Sequence, residues 1–349
     1  MTLTLHVDGQ RWRSHLRHVH EQEPLLVPVA KGNGYGFGVG RLARKAEWLG
    51  VDTLAVGTYF ETVEVLSRFS GDVLVLTPWR PGEKASNDLR EPRLIHTVSR
   101  LDDLRTIAAS GERVRVVLER ATSMLRHGMS ARDLREAAGL VAATATIDLR
   151  GVAIHLPLGV RGHLGEAERL FHDVVAAGLE HTPVWVSHLS TEELSTLRTR
   201  WPDFTLRPRI GTRLWLGERD ALNVTATVLD SHPVQRGDVY GYRGRTAPRP
   251  GTILIVSGGT AHGIGLEAPK GSLDLRSRAA TIARGGMDAA GLVRSPYLIA
   301  GKHPLFAEPP HMQASMLFLP ASATVPSVGD EIGVRCRFTA TDVDRVVID

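Results

Sequence analysis

The chain has 349 residues, 42% hydrophobic and 23% charged, with a formal net charge of +4, which suits a globular protein with a sizeable core and two domains. Scattered arginines without basic blocks or interleaved aromatics argue against nucleic-acid binding. A start, MTLTLHVDGQRWRSHL, without a basic n-region and apolar segment, and the lack of any bilayer-length apolar run, lead us to expect a cytoplasmic protein without membrane contact.

Taken in chain order, short β-branched runs alternate with helix-like segments. Strands are expected near 25–30 (LLVPVA), 52–57 (DTLAVG), 72–77 (DVLVLT), 94–98 (LIHTV), 114–119 (VRVVLE), 151–156 (GVAIHL), 183–188 (PVWVSH) and 205–211 (TLRPRIG). Between several of them lie amphipathic helices such as VGRLARKAEWLG and STEELSTLRTRW, the latter with Ser190 as its N-cap. Eight alternations point to a parallel (β/α)8 barrel of the TIM type, with a doubly wound sheet as the competing layout. After about residue 222, Gly, Pro and β-branched residues dominate (TATVLD, GDVYGY, GTILIVSGG, ASMLFLPASATV, DEIGVRCRF), and a mainly-β domain is expected. The division read from this is a strand in residues 1–10 joining the β domain, a barrel over 11–222 and the β domain over 223–349. Cys336 is the single cysteine, so no disulfide framework or multi-cysteine zinc site can form, and no metal site is expected.

The first barrel strand ends on Lys31, followed by Gly32, Gly34, Gly36, Gly38 and Gly40 around Tyr35. Reactive residues of parallel barrels sit at the C-terminal ends of strands, and glycines there let the backbone approach a ligand. A desolvated lysine in that place suits a Schiff base with a carbonyl cofactor. Lysine is scarce in this chain; Lys31, Lys45, Lys84, Lys270 and Lys302 are the full set. Neither the G-x-G-x-x-G nor the G-x-x-x-x-G-K-[ST] phosphate fingerprint fits the stretch.

The stretch AKGNGYGFG resembles the pyridoxal-phosphate motif of alanine racemases, fold-type III enzymes, with Phe37 where a histidine usually stands. The resemblance continues along the chain. VLERATSMLRHG carries Thr122, Met124, Arg126 and Gly128 of a second motif; GVAIHL places His155 against the cofactor ring; RPRIGTRLWLG puts Arg209, Gly211 and Thr212 on cofactor positions; GDVYGYRGR resembles the loop with the catalytic tyrosine; and PPHMQASM places Met312 near the substrate carboxylate. The resemblance implies that Lys31 holds pyridoxal 5'-phosphate and serves as base on one face of the substrate, that Tyr242 of a partner subunit serves on the other, and that the enzyme is a homodimer acting on a small amino acid. Alignment favours Tyr242 over Tyr240 because it keeps Gly241 in step. Tyr35 and His155 would contact the cofactor, Arg209 would meet its pyridine nitrogen, and Arg126 would bond its phenolic oxygen and the substrate carboxylate. An Asn-Ser pair usual after the seventh strand is missing, leaving Ser187, His188 or Ser190 for the phosphate. Glu119 stands where many relatives carry a carbamylated lysine, and the resemblance implies an anion that positions Arg126.

Three departures bear on the substrate. GGTAHG puts Thr260 and His262 in place of a tyrosine and an aspartate, Phe37 replaces the motif histidine, and the familiar Arg-x-Pro-Arg-x-Tyr ending is not found before Asp349. The reading is an amino-acid racemase with alanine as default substrate. Its rivals are a fold-type III decarboxylase, against which Cys336 in an apparent strand argues, and a non-catalytic pyridoxal-phosphate carrier.

Overall fold

The opening run LTLHV forms strand β1 (Leu3–Val7), and helix α1 (Gly9–Gln22) follows. Eight further runs follow, four of them buried throughout, with helices between all but the third and fourth among the described residues. They are β2 (Val27–Ala30), β3 (Thr53–Val56), β4 (Asp72–Val75), β5 (Leu94–Val98), β6 (Val114–Arg120), β7 (Ile147–His155), β8 (Val184–Ser187) and β9 (Leu206–Ile210). In the computed structural model, which describes residues 2–82, 89–158, 163–266 and 293–349, these eight close into a parallel barrel in sequence order, β9 pairing back onto β2. The doubly wound alternative is thereby excluded. Lys84 and Lys270 lie outside the described residues.

Burial on both faces explains why these strands read as near-continuous apolar runs rather than alternating ones. Val27, Val29, Ala55, Leu74, Ile95, Val117, Ala153 and Trp185 pack together as the barrel interior. Trp185 is the largest of them, and its indole N–H donates to Arg150 O at 2.9 Å. The intervening helices are α2 (Val39–Leu49), α3 (Tyr59–Leu66), α4 (Leu101–Ser110), α5 (Ala131–Ala143), α6 (His163–Ala176), α7 (Thr191–Arg200) and the short α8 (Thr212–Leu216). Helix α7 starts as expected: Ser190 Oγ accepts from Glu193 N at 3.1 Å and Glu193 returns the bond to Ser190 N at 2.8 Å.

The chain forms two compact units, this barrel unit of residues 13–34 and 38–217, and a second unit of residues 1–12, 35–37 and 218–349. The second unit is a β domain. Its strands are β10 (Leu222–Val234), β11 (Val239–Tyr240), β12 (Arg245–Thr246), β13 (Gly251–Ser257), β14 (Tyr297–Leu298), β15 (Leu305–Phe306), β16 (Ala314–Pro320), β17 (Glu331–Val334) and β18 (Arg345–Ile348). The long β10 pairs antiparallel with β13, β17 and β1, and β1 also takes β18 as a parallel neighbour. Strands β11 and β12 form a separate hairpin. Phe37 belongs to this unit and stacks on Trp12 with ring centroids 4.7 Å apart and planes 9° from parallel. Both rings are fully buried, so the phenylalanine in the glycine-rich motif is a packing residue of the β unit. Cys336 falls two residues beyond β17 rather than inside a strand, and burial pushes its thiol pKa up.

Candidate active site

Strand ends bring the chemistry of the barrel together. Lys31 follows β2, Glu119 lies near the end of β6, His155 ends β7, Ser187 ends β8 and Arg209 lies in β9. Burial, reinforced by the positive charges of Arg126 and Arg209, lowers the Lys31 pKa, against which the Glu61 carboxylate pulls upward. The loop bearing Lys31 is clipped to its neighbour by that same Glu61. One oxygen accepts from Gly32 N at 2.8 Å and the other from Gly57 N at 2.6 Å. Glu61 is the N3 residue of α3, in a capping box with Thr58. Thr58-Tyr59-Phe60-Glu61 carries the box spacing, the one local signal of this residue in the sequence.

Arg209 is buried, and its Nη2 donates to Ser187 Oγ at 2.9 Å and to Ile154 O at 3.2 Å. Ser187 Oγ also lies 2.8 Å from His155 Nδ1. A guanidinium can only donate, so Ser187 Oγ accepts from Arg209 and keeps its own hydrogen available for His155 Nδ1. Burial, then the charges of Arg209 and Arg126, drive the His155 pKa down to about 2, which keeps the ring neutral. His188, with φ at 65°, packs edge-on against His155 at 4.8 Å and donates from Nδ1 to Leu156 O at 2.6 Å. Burial lowers its pKa too, so its Nε2 is left as an acceptor. Of the three residues expected to share the phosphate role, Ser187 is thus committed to Arg209 and His155, and Ser190 caps α7. Gly211 and Thr212 stand at the start of α8, with Gly211 O accepting from Leu214 N and Trp215 N at 3.0 Å each. First-turn amide N–H groups of a helix have no intrahelical partners.

Arg126 is exposed, on the loop that follows β6. That loop is closed by Met129 N donating to Glu119 O at 2.7 Å and Ala121 N donating to Met129 O at 3.0 Å. Gly128 makes the closure possible: its φ is 118°, and an added Cβ would lie 2.3 Å from Ala121 N. Thr122 ties the loop to the next strand by donating to His155 O at 2.8 Å. Glu119 is 4% exposed and its Oε2 has no hydrogen-bond partner among the described residues. Burial raises its pKa, opposed first by Arg209 and then by Arg126. Both arginines thus favour its charged form, Arg209 more strongly than Arg126.

The remaining expected residues belong to the β unit. Tyr35 is buried with φ at 56°, and burial pushes its phenol up to about 12. Tyr242 is 91% exposed in the loop between β11 and β12, and its phenol makes no hydrogen bond among the described residues, whereas Tyr240 OH donates to Ala307 O at 3.3 Å. Met312 is exposed beside the turn of Thr260–His262, its carbonyl accepting from Ala261 N at 2.9 Å. His262 is buried and its Nε2 lies 3.1 Å from Asp344 Oδ1, a structural tie within the unit. Thr260 N donates to His311 O at 2.8 Å.

Arg209 and Arg126 act on the buried Glu119 carboxylate, and Lys31 feels both arginines together with the Glu61 carboxylate. Arg209 Nε is buried without a hydrogen-bond partner among the described residues. An excess of fixed positive charge, an orphaned donor and an amine of lowered pKa fit an anionic, phosphate-bearing carbonyl compound with a ring acceptor.

A closed parallel barrel with a desolvated lysine after its first strand, followed by an antiparallel β unit, defines fold-type III, the barrel class of pyridoxal-phosphate enzymes. Residues 7–192 match the family model described as alanine racemase, N-terminal domain, and the chain belongs to that family. Among curated relatives, the alanine racemase of Mycolicibacterium vanbaalenii is 27% identical over 273 residues, covering 70% of this chain and 68% of that protein. That of Nitratidesulfovibrio vulgaris is 26% identical over 290 residues, covering 76% and 77%. Among solved structures, alanine racemase from Bartonella henselae, with covalently bound pyridoxal phosphate, superposes with a TM-score of 0.74 at 16% identity, covering all of both chains. The Clostridium difficile 630 enzyme gives 0.71 at 19% identity, covering 96% of this chain and 87% of that one.

Proposed function

We propose that the chain is a pyridoxal-phosphate-dependent racemase that interconverts L- and D-alanine or a related amino acid. Lys31 and Tyr242 would carry protons on opposite faces of the substrate α-carbon. The observation that carries this reading is Lys31 itself: a strand-end amine whose pKa is lowered by burial and by Arg126 and Arg209. Lowering the pKa of this lysine raises its unprotonated fraction, the form that covalent attachment and proton abstraction both require.

When bound, pyridoxal phosphate supplies the electron sink that acidifies the substrate's Cα–H. Lys31 would hold it covalently, and Arg209, through its unpartnered Nε–H, would donate to the ring nitrogen. An arginine hardly gives up its proton, so that nitrogen stays unprotonated and electron withdrawal is limited, which favours return of the proton to carbon. His155, kept neutral by burial, would pack beside the ring without adding charge. Amides at the start of α8, from Gly211 and Thr212, suit the phosphate. Ser187 contributes by fixing Arg209 and His155, and Arg126 is free to meet the substrate carboxylate. Lys31 Nζ and Tyr242 Oη would then take and return the α-proton, one on each face.

Exposure of Tyr242 at 91% and of Met312 at 73% agrees with their donation to the site of a second copy, and a homodimer is the working assembly. A small amino acid is the substrate and the cytoplasm the compartment of this reading. Incubation of the cofactor-loaded protein with single L-amino acids, followed by chiral chromatography, tests it. D-enantiomer should accumulate toward an equal mixture. Carbon dioxide release would favour a decarboxylase, and no turnover of any amino acid would favour a carrier.

A further inference from the structure

Glu308 is a buried carboxylate, 2% exposed, that no step above uses. It sits in the segment between β15 and β16, under the hairpin of β11 and β12. Tyr242 N donates to its Oε1 at 3.1 Å and to its Oε2 at 3.0 Å, and the Arg243 amide adds a further bond. Successive amides converging on one anion form a nest. Gly241 makes room for it. Its φ is 74°, and an added Cβ would meet Glu308 Oε2 at 2.5 Å. On its other side Glu308 Oε1 lies 2.7 Å from His311 Nε2, and the His311 ring stands edge-on to the Tyr242 ring, with centroids 5.4 Å apart and planes at 79°. Backbone bonds hold His311 in turn: its N–H donates to Ala314 O at 2.9 Å and its carbonyl accepts from Thr260 N. Burial alone would raise the Glu308 pKa, but the bonds from Tyr242 and His311 outweigh it and hold it below the usual range.

We infer that Glu308 and His311 are positioning residues for Tyr242: the carboxylate builds the hairpin tip around itself and holds the imidazole that fixes the tyrosine ring. This rests on Tyr242 being a proton carrier, as proposed above. The need is physical. Tyr242 is 91% exposed, and an exposed side chain otherwise samples several rotamers within nanoseconds. A displacement of about 1 Å in a reacting group costs on the order of 100-fold in rate. Glu308 acts on the backbone, through two amides; His311 acts on the ring, through an edge-to-face contact of the favoured kind. Glu308 also selects the His311 state, because a carboxylate accepts only from a protonated Nε2.

Two measurements on the full-length, cofactor-loaded protein test this. In the first, tyrosines are replaced by 3-fluorotyrosine; the chain has 5, and Tyr242→Phe identifies the fluorine signal of interest. Glu308→Gln and His311→Ala should each move that signal toward the position of an unrestrained surface tyrosine and leave the other signals in place. In the second, exchange of the α-proton is followed in deuterated water for each enantiomer of alanine. Both variants should lose at least ~10-fold in exchange of the enantiomer whose proton faces Tyr242, with exchange of the other unchanged. An unmoved Tyr242 signal in both variants, or an equal fall for both enantiomers, would overturn the inference. Should Glu308→Gln fail to fold, His311→Ala leaves the amide nest intact and decides alone. If the unsubstituted protein exchanges neither enantiomer, the racemase reading fails, and the fluorine signals still decide whether the pair holds Tyr242.

Discussion

Arg209 Nη2 donates to Ser187 Oγ across 2.9 Å, between two neighbouring barrel strands. The same hydroxyl lies 2.8 Å from His155 Nδ1, so one small side chain ties together both residues assigned to the cofactor ring. Ser187→Ala should leave His155 Nδ1 without its partner and Arg209 Nη2 with Ile154 O alone. The cofactor-free protein should lose about 1–3 kcal/mol of stability in urea unfolding. A serine that merely touched the phosphate would leave the cofactor-free protein unchanged, so equal stabilities would contradict the relay.

Glu119 is the counter-charge of buried Arg209. Resemblance to a carbamylated lysine beside Arg126 suggests a residue whose loss harms positioning alone, but burial at 4% exposure alters that expectation. Glu119→Gln removes a carboxylate that favours the charged state of buried Arg209. Turnover and thermal stability should therefore fall together, and turnover of the native protein should be indifferent to dissolved carbon dioxide. Unchanged melting with full activity would show that Arg209 finds its compensation elsewhere.

His96 gives a pH dependence with a definite sign. It is buried on β5, its Nδ1 2.9 Å from Tyr59 OH, and burial lowers its pKa to about 4 from an ordinary 6.5. The unfolded chain therefore binds the proton first as pH falls. Stability is fully present above about 6.5 and is lost between there and about 4, at up to ~1.4 kcal/mol per pH unit and about 3 kcal/mol in all. His96→Phe should reduce the slope of unfolding free energy against pH by that one proton. Other histidines of lowered pKa, His155 among them, remain in both proteins and cancel in the comparison. Parallel slopes would contradict a neutral, buried His96.

Thr260 bears on substrate width. Where relatives carry a tyrosine this chain has a threonine, on the turn whose amide donates to His311 O. With an aromatic ring fewer there, amino acids larger than alanine, such as serine, should be turned over measurably, and Thr260→Tyr should raise the preference for alanine. A panel assay in which the native protein accepts alanine alone would contradict this.

The barrel was legible because its strands are largely buried on both faces and announce themselves as short β-branched runs. Lys31 was legible for a related reason: a charge at the end of such a run has no packing use. What escaped were pairings that no local pattern records. Glu308 reaches the amide of Tyr242 across 66 positions, and Ser187 looks like any strand-end serine until Arg209 and His155 stand beside it. Phe37 reads as a departure from a ligand motif, whereas its physical reason is the ring of Trp12. Glu61 could have been found from its capping-box spacing; the clip it makes to Gly32 could not.

Lys31 as the attachment point of pyridoxal phosphate is the claim on which every other role depends. Reduction of the cofactor-loaded protein with borohydride, followed by peptide mapping, measures it directly. The expected result is one pyridoxyl group, on the peptide containing Lys31, and loss of that label in Lys31→Ala with the fold retained. A label on Lys45 or Lys302, or no stable label at all, would contradict it.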